Sequence, residues 1–174
     1  MKRLDDAGDA LVEPLRDNRF WVAFFGMAST VGDFSIVWHA IGLVRAIGSL
    51  ERLQQAVALS VALGVESLIV NQGIKRLFRR ERPTVSGDHR FDVRTPRTSS
   101  FPSGHASSAT FAVFILTSFT GFPWALLWIA IGAAVALSRV VVRIHHASDI
   151  LGGIVTGALL GTVAVPIIGA LLPA

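Results

Sequence analysis

Cysteine is absent from this sequence, and charged residues are scarce. Without cysteine, the chain has no disulfide and no thiolate ligand for a metal. Charged residues make up only 16% of the 174 residues, whereas 52% are hydrophobic, and this balance excludes an ordinary soluble globular protein. The first twenty residues also lack the basic and then apolar order of a cleavable signal peptide. We therefore expect a membrane protein that inserts through internal segments.

Acidic residues are outnumbered by basic ones, which gives the chain a formal net charge of +4. The basic residues flank apolar segments and do not form a solvated basic arm. This distribution indicates a membrane surface or a phosphate ligand as partner, and it argues against nucleic acid.

Hydropathy predicts an all-α fold, a polytopic transmembrane helix bundle of about five spans. A bilayer core of roughly 30 Å needs about 20 apolar residues per helix. The predicted spans cover about 33–47, 53–78 and 103–120, then a stretch ending near 138, and finally 148–172. Asp33 is a candidate N-cap of the first span. Residues 1–31 are predicted to be an amphipathic or interfacial segment, with a sixth span if 20–31 also crosses.

The whole chain, residues 1–174, is predicted to form a single membrane-embedded domain. Its polar segment 79–101 contains two prolines and a glycine, so it cannot be a continuous helix and is predicted to be a loop at the membrane surface. Because the spans alternate in direction, this loop lies on the face where the second and fourth spans end and the third and fifth begin.

Three basic residues lie on that shared face. Lys75, Arg82 and Arg139 would be costly in hydrocarbon, yet each falls where a span meets the surface. An arginine fork binds two phosphate oxygens and a lysine adds a point charge, so the three residues suit a tetrahedral oxyanion. The neighbouring Arg76, Arg79 and Arg80 are interpreted as ordinary flanking charges.

The third span begins with an anion site. Ser103 and Gly104 open this helix, so free backbone N–H groups and the positive end of the helix dipole point to the shared face. His105 follows in the first turn. Beside a phosphate it would transfer a proton to the leaving oxygen.

A histidine and a carboxylate four residues apart form the last group. His145 and Asp149 share one face if the turn between them is helical, so the carboxylate can hold the imidazole while the other nitrogen attacks phosphorus. A metal site on His145, Asp149, His105 and His146 is the alternative. The three nearby cations would repel a divalent ion, so we expect no metal.

These residues form a three-part signature that resembles the type 2 phosphatidic acid phosphatase superfamily. The parts read KRLFRRERP from Lys75, PSGH from Pro102 and SRVVVRIHHASD from Ser138. The resemblance implies a metal-independent membrane lipid phosphatase with no cofactor. It also implies that His145 is the nucleophile, Asp149 its partner and His105 the general acid. The residues that it implies for phosphate binding are Lys75, Arg82, Ser103, Gly104 and Arg139.

One position departs from that pattern. Many members carry glycine two residues before the nucleophile, where this chain has Arg143. Arg143 either contacts the substrate head group or faces lipid phosphates. His146, next to the nucleophile, is a second candidate for a head-group contact.

The last span carries glycines at 153, 157 and 161, which give one face for close helix approach. Packing inside the bundle is the favoured interpretation, and a homo-oligomer through the same face is the alternative.

Location and substrate follow from charge bias and from the resemblance. Only Arg45 and Arg52 of the sixteen basic residues lie near the opposite face, so the positive-inside rule puts the site toward the cytoplasm. The resemblance implies a bacterial cell membrane. The expected substrate is a lipid phosphate: a polyprenyl phosphate or diphosphate, a polyprenyl-linked sugar phosphate, phosphatidylglycerol phosphate or phosphatidic acid. The alternatives are a non-catalytic lipid-phosphate binding or transport protein and a vanadate-dependent haloperoxidase-like enzyme.

Overall fold

A computed structural model describes residues 1–83, 90–91 and 98–172 of the chain. The predicted loop 79–101 therefore lies partly outside the described residues. Within them the chain forms seven α-helices, which confirms the all-α prediction: α1 (Lys2–Arg16), α2 (Arg19–Gly32), α3 (Ile36–Ala46), α4 (Leu50–Ser67), α5 (Gly104–Thr120), α6 (Trp124–Val141) and α7 (Ala147–Leu171).

Four helical stretches of the described chain are long and apolar enough to cross a membrane: Arg19–Ala46, Leu50–Leu77, Trp124–Val141 and Ala147–Leu171. The second stretch continues α4 through a π-helical segment, Leu68–Gly73, and a 3-10 turn, Ile74–Leu77. The third predicted span, 103–120, corresponds to α5, which has 17 residues and lies between α4, α6 and α7. The molecule is a polytopic helical bundle, as predicted.

The first crossing differs from its prediction. Residues 20–31 do not form a separate sixth span, because α2 joins α3 in one candidate span of 28 residues. The two helices meet at Phe34 and Ser35, whose φ angles of 52° and 60° lie in the left-handed region and break the helix. The prediction that Asp33 is an N-cap is wrong: Ser35 occupies that position, and Asp33 follows the end of α2.

The amino-terminal helix α1 packs on the ends of α6 and α7. Buried Arg16 holds it there by donating hydrogen bonds to the carbonyl oxygens of Val141, at 2.8 Å, and Val140, at 2.9 Å. These carbonyls belong to the last turn of α6, where helix acceptors lack partners of their own. The outer face of α1 exposes Leu4 and Leu11. Residues 19–31 of the predicted interfacial segment 1–31 fall within the first candidate span, and the interfacial position of α1 stays a prediction.

The glycine face of α7 packs against α5, as favoured. A Cβ added at Gly153 would lie 2.5 Å from the Ser103 carbonyl oxygen, and one at Gly161 would lie 2.8 Å from Phe114 Cβ. Gly157 meets the Ser107 carbonyl oxygen in the same way. Because α5 covers this face, it is not available for the alternative, a homo-oligomer through these glycines.

In the described part of the chain, two hydrophobic clusters hold the bundle together. One joins α3 to α7 in the middle of the bundle around Trp38, Leu59 and Ile115. The other joins α1, α2 and the α6–α7 connection around Val12, Phe25 and Ile144. A polar cavity lies where α2, α4, α5 and α6 meet, and Leu63 of the first cluster forms part of its packed wall.

Candidate active site

A polar cavity of about 450 Å³ opens among α2 to α6. Five of the predicted site residues line it: Lys75, Gly104, His105, Arg139 and His145. Arg82 and Asp149 both contact His145, and the Ser103 N–H donates to the Asp149 carbonyl oxygen at 3.0 Å. The structure therefore brings all eight predicted catalytic and phosphate-binding residues together.

His145 follows α6 in a short turn and is 2% exposed. Arg82 Nη1 lies 3.2 Å from His145 Nε2, and arginine can only donate, so Nε2 is the unprotonated nitrogen. Its Nδ1 then carries the proton and faces Asp149 Oδ2 at 3.5 Å and Ser100 Oγ at 3.3 Å. Burial and the surrounding cations hold the pKa of His145 well below its ordinary value, although Asp149 opposes them. The ring is neutral at pH 7, with its Nε2 lone pair available.

Asp149 is fully buried and is held by more partners than the sequence indicated. Its Oδ2 accepts hydrogen bonds from Ser100 Oγ and from the His146 N–H, the latter at 2.8 Å. Its Oδ1 accepts from Arg80. Interpreting Arg80 as an ordinary flanking charge was therefore wrong, because its guanidinium forms an ion pair with the partner of the nucleophile.

Arg80 also connects the site to α1. Its Nη2 pairs with Asp5 Oδ2 at 2.6 Å, and Asp5 Oδ1 accepts from the Ser148 N–H and hydroxyl at 3.0 and 2.6 Å. Burial raises the pKa of Asp5, but the hydrogen bonds from Ser148 and Arg80 outweigh that effect and lower it. An ionised Asp5 thus helps to hold Arg80 on Asp149.

Arg139 offers hydrogen-bond donors to a ligand. It is 1% exposed, and its Nη1 donates to the Ser29 hydroxyl on α2. Its Nε and Nη2 are buried without a hydrogen-bond partner in the described part of the chain. Unpaired buried donors of a cation cost several kcal/mol, so a bound anion is their expected partner.

The beginning of α5 provides further donors. Ser103 caps the helix by accepting from the Ala106 N–H at 3.4 Å. A Cβ on Gly104 would lie 3.1 Å from Asn71 Oδ1 and 3.4 Å from Lys75 Nζ. Glycine at this position therefore lets the lysine approach the positive end of the helix, where both favour one anion.

His105 contacts two residues outside the three sequence motifs. Its Nε2 lies 3.1 Å from Asp33 Oδ1 and 3.2 Å from the Ser29 carbonyl oxygen. Both acceptors come from the end of α2. This helix is therefore part of the site, contributing a carboxylate, a carbonyl and the hydroxyl that meets Arg139.

The two predicted head-group residues have protein partners. Arg143 Nη2 pairs with Asp9 at 2.9 Å and with Glu13 at 3.2 Å, both on α1. His146 is the N-cap residue of α7. Arg143 also has a φ of 56°, in the left-handed region that glycine adopts most readily. Contacts from either residue to a head group stay predictions.

The sequence contained partial signals for the missed residues. An acid within an apolar stretch, as at Asp33, is by default a functional candidate, and it was interpreted as a cap instead. Arg80 is one of several adjacent basic residues, and nothing local distinguishes it. Ser100 precedes the second motif without any spacing rule that connects it to Asp149.

The chain is similar to known proteins. A model of the PAP2 superfamily matches residues 55–172. The decaprenylphosphoryl-5-phosphoribose phosphatase of Mycobacterium tuberculosis (strain H37Rv) is 34% identical over 138 residues, covering 78% of this chain and 73% of the relative. The same enzyme of Mycolicibacterium smegmatis is 37% identical over 127 residues, covering 72% and 67%.

Two solved structures share the fold. The phosphatidylglycerolphosphate phosphatase of Bacillus subtilis superposes with a TM-score of 0.67 over 98% of this chain and 88% of that one, at 18% identity. Aquifex aeolicus LpxE gives 0.70 over 90% and 93%, at 17% identity. At these identities the likeness concerns the fold, and it agrees with an integral membrane protein.

Proposed function

The chain belongs to the PAP2 superfamily, and we propose that it removes the terminal phosphate from a polyprenyl-linked sugar phosphate through a phosphohistidine on His145. The observation that carries this proposal is the buried Arg139, whose Nε and Nη2 have no hydrogen-bond partner among the described residues and which lines the same cavity as His145. A phosphoryl group in this cavity would supply the missing acceptors. Lys75, Arg82 and the first turn of α5 would bind its remaining oxygens.

The first chemical step forms a bond between His145 Nε2 and phosphorus and breaks the bond between phosphorus and the sugar oxygen. His105 gives a proton to that oxygen as it leaves. Asp149 keeps the proton on His145 Nδ1 and stabilises the positive charge that develops on the ring. In the second step, water attacks phosphorus, the bond between phosphorus and His145 Nε2 breaks, and the water gives a proton back to His105. Inorganic phosphate leaves, and His145 is again neutral.

The cavity lining supports a hydroxylated head group. Beyond the phosphate-binding residues its lining includes side chains with hydroxyl or amide groups, Ser67, Asn71, Gln72 and Ser108, beside the apolar Phe34 and Leu63. Such groups suit the hydroxyls of a sugar better than the acyl chains of a glycerolipid, since an unpaired polar group against hydrocarbon is costly. The curated relatives are named for a phosphoribose substrate, which agrees with this choice.

An apolar groove supports a long lipid chain. It has a volume of about 880 Å³, runs between α4 and α7 from Leu50 to Ile69, and is lined almost entirely by aliphatic side chains. Glu66 borders both this groove and the active-site cavity, so the two spaces adjoin. A substrate with its head group in the cavity could therefore lay its prenyl chain along the groove.

We further propose that the site faces the cytoplasm. The docking of α1 beside α6 and α7 keeps its basic residues on the site face, which supports the positive-inside count. A cysteine at Thr84, which lies outside the described residues, tests this orientation. Protection from an impermeant thiol reagent in intact cells is expected, and labelling would place the site outside.

The activity is tested by phosphate release from purified protein in detergent. The substrates are a polyprenyl-phospho-ribose phosphate, a polyprenyl phosphate, phosphatidylglycerol phosphate and phosphatidic acid. We expect the sugar phosphate to be preferred, His145→Ala to be inactive and EDTA to have no effect. Full activity in His145→Ala would refute the mechanism, and preference for phosphatidic acid would refute the substrate class. Loss of activity in EDTA would restore the metal alternative.

A further inference from the structure

We propose that Asp33 is a positioning residue for the general acid, acting with the carbonyl group of Ser29 to hold the proton-donating form of His105. This proposal rests on the proposed phosphatase mechanism and concerns its leaving-group step. It adds a second histidine–carboxylate pair to the site. Unlike His145 and Asp149, its two members come from different helices.

The break after α2 creates both acceptors. In a continuous helix the Asp33 N–H would donate to the Ser29 carbonyl, four residues earlier. Here that N–H donates to the Thr30 carbonyl instead, since the chain turns at Phe34 and Ser35 with positive φ angles. The Ser29 carbonyl is thus released from the helix, and it accepts from His105 Nε2 at 3.2 Å. Asp33 Oδ1 stands 3.1 Å from the same nitrogen.

These contacts determine the tautomer of His105. A carbonyl oxygen and a carboxylate can only accept, so Nε2 carries a proton whether the ring is neutral or charged. Nδ1 is then the nitrogen that gains and loses the catalytic proton. His105 lines the cavity beside His145 and Arg139, where a proton on Nδ1 would serve the reacting group.

Asp33 also offsets unfavourable charge. The general acid has to be protonated when substrate binds, yet Arg139 and the other phosphate-binding cations oppose a positive imidazole. A carboxylate 3.1 Å from the ring compensates for them. Asn at this position would keep an acceptor but remove the negative charge.

The test is the Asp33→Asn variant, assayed with two leaving groups. With a lipid or sugar phosphate, whose alkoxide leaves poorly, we expect kcat to fall by about ten- to a hundredfold, within the 10²–10⁴ that proton transfer contributes, and KM to stay unchanged. With p-nitrophenyl phosphate, whose leaving oxygen needs no proton, we expect less than about a threefold fall. His105→Ala should show the same dependence, and the double variant should be no worse than His105→Ala.

Two control variants separate the effect of Asp33 itself from the effect of any change near the end of α2 or of any lost carboxylate. Thr30→Ala alters an exposed side chain at the end of the same helix, and Glu51→Gln removes an exposed carboxylate at the start of α4. Both should keep wild-type kinetics. Equal losses of Asp33→Asn on both substrates, or an additive double variant, would overturn the proposal in favour of a purely structural role.

Nitrogen NMR of histidine-labelled protein gives a readout without turnover. We expect His105 to be protonated at Nε2 in the substrate-free enzyme, and the opposite tautomer would overturn the proposal. The proposed substrate can fail separately. If the wild type hydrolyses another lipid phosphate instead of the sugar phosphate, the substrate class is wrong, while the Asp33 comparison proceeds on the lipid that is hydrolysed.

Discussion

Replacing Arg143 by glycine and by alanine separates two opposing effects at one position. The Arg143 backbone has a φ of 56°, which costs a residue with a Cβ about 1–2 kcal/mol. Its side chain pairs with Asp9 and Glu13, but the side chains are 31–42% exposed, so each pair contributes only about 0.2–1 kcal/mol. Both variants lose the ion pairs. Only Arg143→Gly also relieves the backbone.

The expected order of stability is therefore glycine above alanine. Relief of strain favours glycine by about 1–2 kcal/mol, and the greater freedom of glycine in the unfolded chain offsets about 0.4–1 kcal/mol of this. A net difference of about 1 kcal/mol corresponds to roughly 2–4 °C in Tm for a chain of this length. Against the wild type, Arg143→Gly should be close to neutral, since the lost ion pairs cancel the gain.

The assay is thermal unfolding in detergent, followed by fluorescence of the four tryptophans. The same two changes at Arg52, an exposed helical position in α4, are the control and should give the reverse order, because glycine weakens a helix. Alanine as stable as glycine at position 143 would refute the backbone argument. A raised KM in both variants would indicate that Arg143 contacts the head group.

Three further predictions follow from the contacts around α1, Asp149 and the groove. Arg80→Gln should lower kcat by about 10–100-fold, as removal of an orienting partner does elsewhere. Arg79→Gln, at an exposed neighbouring position, should leave kcat unchanged. Equal losses of kcat in the two variants would contradict the ion pair between Arg80 and Asp149. The pKa of Asp5 is lower in the folded protein than its unfolded value near 3.8. The contribution of Asp5 to α1 docking is therefore fully present above pH 3.8 and is lost as the pH falls through the folded pKa. Limited proteolysis from pH 7 to 3 should detect release of α1 only at the acidic end, and release near pH 6 would contradict this. Ala62→Trp in the groove should raise KM for a long prenyl chain more than for a short one, and an equal rise would argue against the groove as the chain site.

The sequence alone determined the class of fold and the centre of the site. A long run of apolar residues identifies a helix that crosses the bilayer, because backbone N–H and C=O groups in hydrocarbon can pair only with one another. The alternation of those helices then brought Lys75, His105 and His145 to one face. These signals are local, consisting of a run of residues, a spacing of four or a helix start, so no knowledge of packing was needed. The glycine spacing in α7 likewise indicated close packing, and α5 is the helix that fills it.

Only the tertiary structure decided which polar groups meet across helices. Arg80 pairs with Asp149 at a separation of 69 residues, and Arg143 with Asp9 at 134, so no local pattern distinguishes these arginines from their neighbours. The role of Asp33 depends on a helix break at two residues other than glycine, which sequence propensity does not predict. His145 could be found by its spacing from Asp149. The partners that set its tautomer and charge are decided by the packing of α1 and the loop before α5 against that pair.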